Sequence, residues 1–197
     1  MTLNIGVLAI QGDVREHKNH LAKVGANPVE VRTLSDLEKV QGLIIPGGES
    51  TTIGMLMAEE GLIDAIRKRV TEEQFPVYGT CAGLILLAKE VIGPSPARLG
   101  LMDITADRNA YGRQLASFET KIPIKILTEG PEFPAVFIRA PQIRQYGPQV
   151  IPLATYDGQV VMAEEGPLLV SAFHPEMSGD VRIHEYFVNK VRKTLNV

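Results

Sequence analysis

The hydrophobic positions of this chain fall into two textures. Through residues 1–91, short and almost wholly apolar runs alternate with longer amphipathic stretches, the rhythm of strands buried on both faces and joined by helices. The runs predict strands near 3–10, 28–32, 42–46 and 76–80, and the stretches between them predict helices near 14–24, 50–70 and 82–91. Gly25 stands where a C-terminal cap closes the first helix, and Ser35-Asp36-Leu37-Glu38 fits a capping box opening a short helical turn. After Val91 the rhythm breaks at Gly93-Pro94-Ser95-Pro96, and β-like runs follow around 101–106, 117–127, 135–138, 150–155 and 159–163. Two of them flank Tyr156-Asp157-Gly158-Gln159, whose Asp-Gly pair is a hairpin signal, so this half reads as largely antiparallel. A last apolar run, Leu168-Leu169-Val170-Ser171-Ala172-Phe173, leads into His174. A final helix is expected over about 179–195, packing Val181, Phe187, Val188, Val191 and Leu195 on the sheet. With no repeat, linker or low-complexity segment, residues 1–197 read as one α/β unit.

The alternation also says where chemistry belongs. Open α/β sheets bind ligands beyond the C-terminal ends of their strands. Three predicted strands end in suggestive residues. One runs into Gly79-Thr80-Cys81-Ala82-Gly83, where small residues on both sides of a thiol suit a sharp strand-to-helix turn that leaves the sulfur exposed. The positive end of the following helix favours a thiolate over a thiol. A second ends at Phe173-His174-Pro175-Glu176, which offers a base and a carboxylate to orient it. The third, Leu43-Ile44-Ile45, ends at Pro46-Gly47-Gly48-Glu49-Ser50, a turn whose backbone N–H groups suit a developing oxyanion. Cysteine, histidine and glutamate together point to acyl transfer.

Composition narrows the field. Cys81 is the only cysteine of 197 residues, which excludes an internal disulfide framework and a multi-thiolate zinc site, and no metal site is expected. The net charge of −3 is spread in mixed signs, without the basic stripe that nucleic acid requires. The apolar N-terminal run is too short for a signal sequence and no run spans a bilayer, so a reduced, cytoplasmic setting is expected. His17 and His20 share a helix face with no further ligand in view and read as solvated surface.

Taken together, these residues resemble the class I (triad-type) glutamine amidotransferases, and within them the glutaminase subunits of two-protein pyridoxal 5′-phosphate synthases. The resemblance covers nearly the whole chain. It rests on Ile5-Gly6-Val7-Leu8-Ala9-Ile10-Gln11-Gly12 with Arg15-Glu16-His17, on Pro46-Gly47-Gly48-Glu49-Ser50-Thr51-Thr52, and on Gly79-Thr80-Cys81-Ala82-Gly83. It continues in Asp107-Arg108-Asn109 with Tyr111-Gly112-Arg113-Gln114, in Phe137-Ile138-Arg139-Ala140-Pro141, and in Phe173-His174-Pro175-Glu176. Ile85 stands four positions after the cysteine, where amidotransferases at large often carry glutamine, as in the pyridoxal-phosphate branch.

The resemblance implies a three-layer, flavodoxin-like α/β fold: a mixed, mostly parallel central sheet, helices on both faces and a small antiparallel addition. It implies hydrolysis of L-glutamine to glutamate and ammonia through a thioester on Cys81, with His174 managing protons and Glu176 orienting it. It further implies an oxyanion hole at Gly48 and Ala82, and substrate contacts at Gly48, Glu49, Ser50, Arg108, Ile138 and Arg139. Guanidinium groups suit a free amino acid's carboxylate, although from the sequence alone either arginine could be a surface ion-pair member, and Arg108 reads more readily as one than as a clamp. The implied partner is a TIM-barrel synthase subunit that takes up the ammonia, with pyridoxal 5′-phosphate as product rather than bound cofactor. Gln11-Gly12 falls on the implied docking face. A γ-glutamyl hydrolase or another cysteine-dependent hydrolase of similar sheet is the alternative. Some of the latter place histidine directly after the cysteine, where Ala82 stands.

Overall fold

The computed structural model describes residues 2–108 and 117–196. Asn109 and Tyr111-Gly112-Arg113-Gln114 lie outside the described residues.

The first half builds strands β1 (Asn4–Leu8), β2 (Asn27–Val31), β3 (Gly42–Ile45) and β4 (Val77–Thr80). Between them come helices α1 (Val14–Lys23), α2 (Leu34–Leu37), α3 (Ser50–Glu59) and α4 (Leu62–Glu73), with α5 (Ala82–Leu87) after β4. The second half supplies β5 (Ala88–Ile92), β6 (Met102–Asp107), β7 (Ser117–Ile122), β8 (Phe133–Ile138), β9 (Gln142–Tyr146), β10 (Ile151–Tyr156), β11 (Gln159–Glu165) and β12 (Leu168–Ser171), then α6 (Arg182–Leu195).

One 10-stranded sheet runs β2-β1-β3-β4-β12-β11-β9-β6-β5, with β10 pairing β11 off that path. From β2 to β12 every pairing is parallel, whereas β12, β11, β9 and β6 pair antiparallel. Strands β7 and β8 form a separate antiparallel pair, the expected small addition. The parallel strands are apolar because both faces are covered: β3, β4 and β12 are buried at every position. Helix α6 lays Phe187 and Val191 over Gly42, where any side chain would collide. Among the described residues no helix is long and apolar enough to cross a membrane.

The expected order survives with local corrections. The predicted 50–70 helix is two helices, broken where Gly61 adopts a left-handed φ of 70° that starts α4. The predicted 82–91 helix stops at Leu87, and Ala88–Ile92 instead pairs parallel with β6; a short buried apolar run has no period to tell helix from strand. The capping box exists two residues earlier than read, with Thr33 as the cap and Asp36 closing it. The run over 117–127 is strand only to Ile122, where Pro123 follows. The polar strand β9 went unpredicted, its extended form coming from pairing with β6 and β11. Helix α6 begins at Arg182 and buries Ile183, Phe187, Val188 and Val191, leaving Val181 half-buried and Leu195 exposed. The Asp157-Gly158 hairpin forms as read, with φ of 47° and 71°. The largest correction concerns His17 and His20, which are buried against His184 of α6 rather than solvated.

Candidate active site

Strands β3, β4 and β12 are adjacent and parallel, so the turns after them emerge side by side at one edge. Cys81 follows β4 with φ 50° and ψ −100°, a conformation that costs a non-glycine residue about 1–3 kcal/mol and persists only when its surroundings impose it. The surroundings are visible. Its N–H donates to Ser171 O of β12 at 2.8 Å, and Gly83 lies flat against the Ile45 carbonyl of β3, leaving no room for a Cβ. The thiol, 8% exposed, lies 3.8 Å from the Ile138 carbonyl. Ala82 begins α5, and the first N–H groups of a helix have no acceptor inside it.

His174 follows β12, its N–H held by the Val136 carbonyl at 2.8 Å. Its Nδ1 lies 2.7 Å from Glu176 Oε1 and 3.5 Å from Asp13 Oδ2, which leaves the other ring nitrogen free of both carboxylates, and Cys81 lines one cavity with it. Burial pulls the imidazole down, but hydrogen bonds to Asp13, Cys81 and Glu176 and the Glu176 charge outweigh it and push it up to about 12. Burial drives the Glu176 carboxyl upward, opposed by the His174 hydrogen bond and charge. Glu176 itself is 4% exposed, in a single 3₁₀ turn (Pro175–Met177) that Pro175 opens. The ring packs on Gly47, where a Cβ would strike Cε1.

The edge encloses a cavity of about 460 Å³. Cys81, His174, Ala82, Gly48, Glu49, Ser50, Arg108, Ile138 and Arg139 all line it, so every predicted site residue except Glu176 meets the cavity, and Glu176 stands behind His174. Two of them do something other than expected. Glu49 caps α3, accepting from Thr51 and Thr52 N–H and the Thr52 hydroxyl at 2.8–3.0 Å, contacts that hold its carboxyl at about 2. Arg108 bonds the Pro94 carbonyl at 3.0 Å and pairs with Glu49 at 3.3 Å; the ion pair is real but lies inside the pocket wall. Arg139 is exposed with φ 42°, a strained position at the end of β8.

The sequence reading missed Asp13 and the role of Gln11. Asp13 is the N-cap residue of α1, yet its side chain makes no cap bond and points to His174 instead. The signal was present: a carboxylate directly after Gly12, beyond the end of β1, on the same sheet edge. Gln11 Oε1 accepts the Glu49 N–H at 2.9 Å and so ties the first turn to the glycine turn. Asp13, His174 and Glu176 present ligand atoms within 4.8 Å of one another, but a cation there would take the Nδ1 that Glu176 uses to orient the ring.

Comparison with known proteins places the chain in a family. The chain is 52% identical over 188 residues to the pyridoxal 5′-phosphate synthase subunit PdxT of Pelotomaculum thermopropionicum, covering 95% of each. A crystal structure of a glutamine amidotransferase superposes with a TM-score of 0.90 at 47% identity, covering 95% of this chain and 98% of that one. A glutamine amidotransferase from Thermotoga maritima shares the fold, with a TM-score of 0.63 at 11% identity over 99% of this chain and 86% of that one. Residues 7–193 match a family described as SNO glutamine amidotransferases, and the chain belongs to that family.

Proposed function

We propose that Cys81, His174 and Glu176 are the catalytic triad of this glutaminase and that the cavity beside them holds L-glutamine. The observation that carries the assignment is the placement of one imidazole, with Glu176 2.7 Å from its Nδ1 and Cys81 beside it in the wall of the same cavity. His174, held protonated by the groups around it, stands beside the Cys81 sulfur and carries the proton that the sulfur gives up to attack. The sulfur attacks the side-chain amide carbon; the C–S bond forms as the carbonyl electrons move onto oxygen. Backbone N–H groups of Ala82 and Gly48 receive that oxyanion, one good donor contributing about 3 kcal/mol to lowering the barrier. The oxyanion collapses, the C–N bond breaks, and His174 gives its proton to the departing ammonia. The now neutral imidazole takes a proton from water as the water attacks the thioester, glutamate leaves and the sulfur is free again.

Arg108 and Arg139, the guanidinium side chains on the cavity wall, hold the amino-acid carboxylate, while Glu49 and Ser50 border the ammonium end. The Glu49–Arg108 pair sets where that guanidinium stands. Ammonia must leave uncharged to remain a nucleophile, so the chain works beside a TIM-barrel synthase subunit that condenses it into pyridoxal 5′-phosphate; its relatives are named as subunits of a pyridoxal 5′-phosphate synthase, which supports this reading. Near-full-length identity with such subunits supports this over a γ-glutamyl hydrolase. The whole chain acts as one glutaminase unit, and a free thiol fits a reducing cytoplasm.

The test is glutamate release from L-glutamine with the synthase subunit present. Cys81→Ala is expected to lower turnover at least about a thousandfold. Turnover within tenfold of the unsubstituted chain would remove the thiol from the mechanism.

A further inference from the structure

Behind Glu176, three more imidazoles lie buried in a row and none of them lines the cavity. His17 and His20 come from α1, His184 from α6. His17 Nδ1 and His184 Nε2 are 2.9 Å apart, and His184 Nδ1 and His20 Nδ1 are 3.2 Å apart. The remaining nitrogen of His17, Nε2, stands 3.3 Å from Thr80 Oγ1, next to the nucleophile, and 3.4 Å from Glu176 Oε2. That carboxylate oxygen is buried and, among the described residues, has no hydrogen-bond partner.

A buried charged oxygen left without a donor is expensive, and His17 Nε2 is the group beside it. Whether it donates depends on the row. Burial and then the neighbouring imidazoles hold His17 well below its ordinary range, and burial and then His20 bring His184 down to about 3, so both rings are neutral and carry one N–H each. A row of singly protonated rings has a direction. Run inward, His20 Nδ1–H donates to His184 Nδ1, His184 Nε2–H donates to His17 Nδ1, and His17 Nε2–H is left for Glu176. Run outward, His20 gives its N–H to the Ser178 carbonyl, His17 Nε2 accepts from the Thr80 hydroxyl, and the buried Glu176 Oε2 is left with no donor. A hydrogen bond to a carboxylate is about twice as strong as one between neutral groups, so the inward direction prevails.

We infer that His17 is a positioning residue: its Nε2–H, fixed by His184 and His20 behind it, holds the second oxygen of Glu176 so that the first stays on His174. The inference rests on the triad reading above. It makes α1 and α6 part of the machinery that orients the base, through a carboxylate both sides share.

Two substitutions separate a donor from mere packing. In complex with the synthase subunit, His17→Leu removes the N–H and is expected to lower kcat about tenfold to a hundredfold with KM within about threefold, as loss of an orienting partner does. His17→Gln carries an amide N–H close to the imidazole Nε2 position and recovers turnover to within about threefold of the unsubstituted chain, at a thermal midpoint no higher than that of His17→Leu. Equal impairment of both variants, or of neither, overturns the inference while Cys81→Ala inactivity leaves the triad standing; an active Cys81→Ala overturns both. If the leucine variant does not fold, nitrogen NMR of the unsubstituted full chain with labelled histidine decides. His17 bearing its proton on Nε2 supports the inference, and a proton on Nδ1 overturns it.

Discussion

The two oxygens of Glu176 look onto two histidines of opposite character. Oε1 meets His174 at 2.7 Å, an imidazole pushed up to about 12; Oε2 meets His17 at 3.4 Å, an imidazole pulled well below its ordinary range. Both rings are buried, and burial lowers both. What separates them is company. His174 has Asp13, Cys81 and Glu176 around it, groups that accept its protons, whereas His17 has His184, His174 and His20, which repel a second cation. The lesson is that a histidine's charge follows from its neighbours across the fold: one ring is held charged at a cavity wall, and the other is pulled toward neutrality a few ångströms behind it.

The strongest way to break this contrast is at the residue the two sides share. Glu176→Gln keeps the shape but removes the charge, and kcat for glutamate release is expected to fall about a thousandfold or more, as happens when a triad carboxylate becomes an amide. Next comes the floor beneath the charged ring. Gly47→Ala drives a methyl into His174 Cε1, and since a base displaced by about an ångström loses roughly a hundredfold, turnover should drop by that order while the fold persists.

The smallest effect sharpens the contrast by pH. For His184 the folded pKa of about 3 lies below the ordinary 6.5, so its contribution to stability is complete above pH 6.5 and is lost as pH falls toward 3. For His174 the folded value lies above 6.5, so its contribution is complete below pH 6.5 and is lost as pH rises through the alkaline range. Denaturant titrations of His184→Leu against pH should therefore show a flatter decline from pH 6.5 to 4 than the unsubstituted chain, with the alkaline side unchanged. Parallel curves over the acid range would mean that His184 is charged in the fold.

Much of the site was legible because its residues sit where strands must end. Periodicity located β3, β4 and β12, and small residues at Gly47, Gly79 and Gly83 marked the turns that bring Cys81 and His174 together. The second half was less readable: Ala88–Ile92 and Gln142–Tyr146 are strands because of partners distant in sequence, and their own patterns are weak. The histidine row was misread for a related reason. On α1 alone His17 and His20 are polar residues on one face, and only α6, at a sequence separation of 167 residues, turns that face inward. Asp13 was hidden by its place at a helix start, where an aspartate ordinarily caps.

The position of β12 has a consequence for how the enzyme comes into being. This strand lies in the middle of the sheet yet comes late in the chain, and Tyr78 and Ser171, which it brings within 2.9 Å, are 93 residues apart. Closing so long a loop is entropically slow, and structures dominated by such pairings form late and cooperatively. The Cys81 amide is anchored by that same strand, so its strained turn cannot exist in a half-folded molecule. The strained cysteine turn and the pocket around it therefore arrive together, late in folding.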